Sequence, residues 1–149
     1  MGIKDRVWHK INNWKNQFLF PAGKEVLLKA VIQSIPTYHM SVFRLPKRLC
    51  KEISDIMTRF WWGYKNNEKK IQWASWEQMG CAKMVGGLGF RKLESYNTTL
   101  LAKQCWRLVT KPDYIAAMVL KAKYYKNSDV LSSKLGYGPS MIWRVYGNL

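Results

Sequence analysis

Apolar residues recur along this chain at steps of three and four rather than two. Ile3, Val7, Ile11, Trp14 and Phe18 fall on one stripe, with Lys4 and Lys15 among the polar positions, which predicts an amphipathic helix. Pro21 suits the first turn of a second helix, where its missing N–H costs nothing. Val26, Leu27, Ala30 and Val31 are the expected buried face of that helix. Pro36 ends or kinks it, because the preceding Ile35 is pushed away from helical dihedrals. Tyr38, Met40 and Val42 alternate, so Tyr38 to Phe43 fits a kinked helix or a short strand, and helix is the preferred reading. Pro46 opens a third helix with Leu49, Ile53, Ile56, Met57 and Phe60 on one face, and Gly63 is its expected stop.

The second half is read the same way. Tyr64 to Lys70 is a polar loop, and Ile71 to Trp73 is a candidate extended piece. Ser75 with Gln78 has the spacing of a capping box and predicts a single helical turn. Gly80 to Gly89 is irregular. Leu93, Tyr96, Leu100, Leu101, Cys105 and Leu108 define a long helix ending before Pro112. Asp113 is the expected cap of the next helix, which should bury Ile115, Met118, Val119 and Ala122. Asn127 to Gly138 is loop-like, and Ser140 caps a helix barely begun when the sequence stops at Leu149, an end that predicts a fragment of something longer. Together the elements predict a mainly α, helical bundle-like domain with irregular Trp/Gly-rich connections.

Charge changes the picture most. Twenty-five Lys and Arg face nine Asp and Glu, a net charge of +16, so an anionic partner is expected, either nucleic acid or a membrane surface. A disordered basic tail would be poor in aromatics, whereas this chain is 14% aromatic with eight Trp, so it reads as a folded basic module. The basic residues are spread out, and Lys47-Arg48 and Lys69-Lys70 are only pairs. Three widely separated cysteines, Cys50, Cys81 and Cys105, predict free thiols in a reducing intracellular compartment, whether mitochondrion, nucleus or cytoplasm. The longest apolar run, Ile115 to Leu120, is too short to span a bilayer. The first helix is basic and amphipathic, as import segments are, yet Asp5 and the lack of a cleavage site speak against a transit peptide. With Trp8, Trp14 and Phe18 it also fits an anionic membrane surface, although the same stripe serves a helical core equally well.

Catalytic chemistry is not expected. Nucleotidyl transfer needs carboxylates clustered on metal ions. The aspartates are Asp5, Asp55, Asp113 and Asp129, no two adjacent, and Glu52 with Asp55 reads as a solvated face near Lys51 and Arg59. Gly86, Gly87 and Gly89 lack the Lys-Ser/Thr ending of a phosphate loop, so a turn with close backbone packing is the better reading. His9 and His39 have no Cys or acidic partner at ligand spacing. Cys50 and Cys105 lie on or beside apolar helix faces as small core residues. No cofactor and no metal is expected.

Several blocks occur in a telling order. They are Trp14-Lys15; Ala22 to Lys29; Ile35-Pro36-Thr37-Tyr38 with Met40-Ser41 and Leu45-Pro46; Arg59-Phe60-Trp61-Trp62-Gly63 with Ile71-Gln72-Trp73 and Trp76; Gly86 to Leu93 with Leu100 to Leu108; and Lys121 to Tyr125 with Gly138-Pro139-Ser140 and Trp143-Arg144. In this order they resemble the segment that follows the polymerase core in plant non-LTR (LINE-type) retroelement reverse transcriptases. The chain also resembles isolated, retroelement-derived reading frames of plant mitochondrial genomes. The resemblance implies a thumb-like helical region at 1–62, an irregular Trp/Gly-rich connection at 63–92, and a helical connection region at 93–149, truncated at its C-terminal end. It further implies that the palm with its paired aspartates, the zinc-binding segment and the ribonuclease H region lie outside this sequence, and that Met1 is an opportunistic start inside a family block.

Three functions compete: binding of an RNA or DNA backbone, a structural remnant without independent function, and membrane-surface binding. The first is preferred. The candidate contacts are Lys24, Lys29, Arg44, Lys47, Arg48, Arg91, Lys92, Lys103 and Arg107, with Trp61, Trp62 and Trp73 available to stack on bases or to pack the core. Other reverse transcriptase domains are the further expected partners, and exposed apolar helix faces would favour self-association.

Overall fold

The computed structural model describes residues 2–14, 19–65, 68–69, 71–130, 132–133 and 135–147. The fold is mainly α, as the apolar spacing predicts. Its helices are α1 (Ile3–Trp14), α2 (Pro21–Leu27), α3 (Thr37–Met40), α4 (Lys47–Trp62), α5 (Trp76–Met79), α6 (Leu93–Thr110), α7 (Ile115–Tyr124) and α8 (Met141–Tyr146). The strands β1 (Tyr64–Lys65) and β2 (Glu68–Lys69) pair antiparallel, Tyr64 opposite Lys69 and Lys65 opposite Glu68.

The chain forms two compact units. The first comprises Met1–Tyr38 and Leu45–Tyr96, the second His39–Arg44 and Asn97–Leu149. In the first unit α1 packs on α4 through Val7 and Ile11, while Ile53, Met57 and Phe60 bury the apolar stripe of α4. Phe18, the expected last residue of the first stripe, and Lys15, one of its expected polar positions, lie outside the described residues. Gly63 ends α4 at φ 75°, a left-handed conformation that a residue with a Cβ adopts only at a cost. The capping box is present: the Gln78 N–H donates to Ser75 Oγ, and the Ser75 N–H donates to Gln78 Oε1 at 2.8 Å.

The buried face of the second helix differs from expectation. Val26 is 63% exposed and Ala30 is exposed, while Leu28 and Ile32 are fully buried. At Leu28–Ile32 the helix widens to a π-turn in which the Gln33 N–H donates to the Leu28 carbonyl at 3.0 Å. The buried stripe includes half-buried Lys24 at one end, and a charge at that position hides the stripe from a count of apolar residues.

In the second unit Asn97 holds the incoming segment. It is buried, and its Nδ2 donates to the carbonyls of Met40 at 2.7 Å and Phe43 at 2.9 Å. Tyr38 to Phe43 is therefore helical only through Met40, and a turn follows. Trp143 of α8 is buried and stacks on Tyr124 and Tyr125, with ring centroids 5.0 and 5.4 Å away. As expected, Ser140 caps α8 by accepting from the Trp143 N–H.

The expectations for α7 fail. Tyr114, not Asp113, is its N-cap residue, and no side chain caps it. Ile115 is 72% exposed, and Met118, Val119 and Ala122 are exposed too, whereas Ala117 is buried beneath the Tyr125 hydroxyl, which donates to its carbonyl at 3.2 Å. Ile-Ala-Ala-Met-Val-Leu is apolar all round, so periodicity cannot choose its inner side. Among the described residues no helix is long and apolar enough to cross a membrane.

Asn97→Ala takes the side-chain donor from the buried Met40 carbonyl and the part-buried Phe43 carbonyl. It should lower stability by about 1–3 kcal/mol, read as a lower urea midpoint, while Lys103→Ala on the same helix should stay within about 0.5 kcal/mol.

Candidate nucleic-acid interface

α4 ends in Phe60-Trp61-Trp62, and its end is covered by the chain returning through Gly80 to Phe90. That return is tight because it is backbone against backbone. The Leu88 N–H donates to the Met79 carbonyl at 2.9 Å, and the Gly89 N–H to the Cys81 carbonyl at 2.9 Å. A Cβ on Gly87 would drive into the Cys81 carbonyl, so this glycine run is a close-approach turn, as its sequence predicts. It delivers Phe90 to Trp76, stacked at 4.9 Å, and to Trp61, edge-on at 5.6 Å.

Two of the expected cations lie against this aromatic cluster. Lys24 Nζ sits 5.9 Å from the Phe60 ring centroid and donates to the Trp61 carbonyl at 3.4 Å. Lys29 Nζ sits 5.6 Å from the Phe90 centroid. Lys24, Trp61 and Trp62 line a groove of about 470 Å³ floored by Met79 and Leu88, with Gln78 on its wall. Trp62 is half-buried, and its indole N–H has no partner among the described residues.

Glu25 organises the charges beside the cluster. Its Oε1 accepts from Lys29 at 2.8 Å and from Lys83 at 2.9 Å. The Lys29 ammonium first, and then that of Lys83, holds the carboxyl below its ordinary 4.5. The i,i+4 spacing of Glu25 and Lys29 is visible in the sequence, but the Lys83 tie spans the fold and is not.

The other expected residues are dispersed. Arg48 pairs with Glu52 at 3.1 Å, and Glu52 also binds Lys4 at 2.9 Å, so Lys4 and Arg48 neutralise Glu52 where the sequence points to Lys51 and Arg59. Lys47 is exposed beside Arg48, and these two lie about 20 Å along the helix axis from Trp62. Arg91 covers the Tyr96 ring at 4.6 Å, and Lys92 pairs with Glu77 at 3.2 Å. Trp73 is 80% exposed. Arg44, Lys103 and Arg107 belong to the second unit, where Arg107 faces Tyr114 at 5.9 Å and Lys103 is exposed.

Burial pushes Cys50 and Cys105 above their ordinary range, away from the reactive thiolate. Among the described residues no group of three or more His, Cys, Asp or Glu is placed to hold a metal ion.

The fold and this site define a mainly α, strongly basic protein with a tryptophan-lined groove. The chain belongs to the family of the uncharacterised mitochondrial protein AtMg00310 of Arabidopsis thaliana, to which it is 40% identical over 112 residues, 74% of this chain and 73% of that protein. It is also similar to the Arabidopsis thaliana protein named "Putative ribonuclease H protein At1g65750", 32% identical over 123 residues, which are 83% of this chain but only 20% of that protein's length. No family model and no solved structure matches the chain.

Because the Glu25 carboxyl is held below 4.5, its contribution is complete above that pH and is lost as pH falls through the depressed value. Glu25→Gln should therefore melt at a lower temperature than wild type at pH 7. The two should converge at acid pH, as thermal scans across pH 7 to 3 will read.

Proposed function

We propose that this chain is a non-catalytic segment derived from a LINE-type reverse transcriptase, and that it binds RNA or DNA without regard to sequence. The observation that carries this reading is the excess of cations on a folded scaffold, +16 in net charge. Lys103, Lys111, Lys121 and Lys126 hold no ion pair among the described residues, and the only acids in the second unit's sequence are Asp113 and Asp129. Such side chains neutralise phosphates, and release of condensed counterions drives the association. The relatives support the retroelement origin: one is a mitochondrial protein of comparable extent, the other a much longer protein named for ribonuclease H.

If ~6–10 phosphates are contacted, affinity for RNA or duplex DNA should fall about 10³–10⁵-fold between 50 and 200 mM salt. Charge reversal at Arg91, Lys92, Lys103 and Arg107 should weaken binding and flatten the salt slope. A salt-independent affinity overturns the reading.

One observation favours the runner-up, a structural remnant with no function of its own. The outer face of α7 exposes Ile115, Met118 and Val119 together. Such a face is ordinarily covered by another protein surface. On this reading the purified chain self-associates with concentration, and Met118→Lys disperses it. A monomer at all concentrations with a cooperative thermal transition argues against it.

A further inference from the structure

The groove at the end of α4 has a chemistry that bare phosphate binding does not need. Its walls include the indoles of Trp61 and Trp62, its floor is apolar at Met79 and Leu88, and no carboxylate lines it. Its polar groups are donors. Lys24 carries a cation on one wall. Gln78 commits its carbonyl oxygen to the Ser75 N–H, which leaves its amide nitrogen to donate. Trp62 is half-buried, and its indole N–H lies out of reach beneath the surface, so the ring is what it presents. A concave site with π-faces, donors and one cation complements a flat, acceptor-rich group attached to an anion. An unpaired nucleobase with its phosphate has that chemistry, and a cavity of about 470 Å³ has room for a nucleoside.

We infer that this groove takes one unpaired base of a single-stranded nucleic acid against Trp62, with the adjoining phosphate on Lys24. The inference rests on the nucleic-acid reading above and narrows it. A base inside a duplex is stacked and paired and reaches a concave site only by being pulled out, so single strands are the preferred ligand. The aromatic cluster positions the groove: Phe90 packs on Trp61, and the tight return adds Gly86 and Leu88 to the lining.

The test uses the full chain and three probes of equal length at one salt concentration: a single-stranded oligonucleotide, its duplex, and a single strand carrying abasic sites at alternate positions. Wild type should bind the intact single strand about 5- to 100-fold more tightly than the abasic strand. Trp62→Ala should lose that advantage and leave duplex affinity within about twofold, while Trp62→Phe retains most of it. Equal affinity for intact and abasic strands overturns the inference and leaves charge-driven binding standing. Absence of binding to all three probes overturns both. The comparison of intact and abasic strands needs no variant, so it remains decisive if Trp62→Ala fails to fold.

Discussion

The Phe90 ring is gripped from three directions, by the Trp76 face, the Trp61 edge and the Lys29 ammonium. Three separate pieces of chain meet there: the end of α4, the single turn of α5, and the irregular return that follows it. Neither α5 nor the return carries enough regular hydrogen bonding to hold itself in place. Four residues of helix and a glycine-rich run are marginal in isolation. The buried aromatic contact supplies the apolar area that fixes them, and the backbone bonds from Leu88 and Gly89 to Met79 and Cys81 fix the register. The side of the groove lined by Gln78, Met79, Gly86 and Leu88 follows from this one contact.

Electrostatics then acts on a scaffold already set by packing. Acids are few, and two of them each serve two cations: Glu25 serves Lys29 and Lys83, and Glu52 serves Lys4 and Arg48. Both carboxyls are held below their ordinary range by these ammonium and guanidinium partners. These pairs tie together elements distant in sequence, α2 to the turn at Lys83–Val85 and α1 to α4. They leave the remaining positive charge uncompensated, which is the physical basis for an anionic partner.

How much of this was legible beforehand depends on whether a local rule decides the matter. The stripe of α4, its Gly63 stop, the Ser75 capping box, the extent of α6 and the Ser140 cap follow from spacing and turn chemistry, and the structure has them. The inner face of the second helix is hidden from the pattern because Lys24 lies on it, its ammonium over the Phe60 ring. The π-turn at Leu28–Ile32 leaves no local trace either. α7 is illegible for the opposite reason: its first six positions are all apolar and no periodicity remains. Of the candidate contacts, the sequence supplied the residue types but not their grouping. Nothing local brings Lys24 to Trp61, or sends Arg48 to the far end of α4 from Trp62. Trp76, Gln78 and Phe90 went unremarked as site residues because their roles arise from long-range contact.

The sharing of Glu25 and of Glu52 between two cations each makes this chain asymmetric toward substitution. Removing Lys83 or Arg48 relieves self-repulsion and leaves the second cation, Lys29 or Lys4, on the same carboxylate, so drift at such basic positions is cheap. Removing Glu25 or Glu52 strips a partner from two cations at once and brings two like charges face to face. A protein of this charge is therefore robust in the residues it has in abundance and brittle in the few it lacks. Its acidic positions, not its basic ones, are where sequence variation should be narrowest if the fold is maintained.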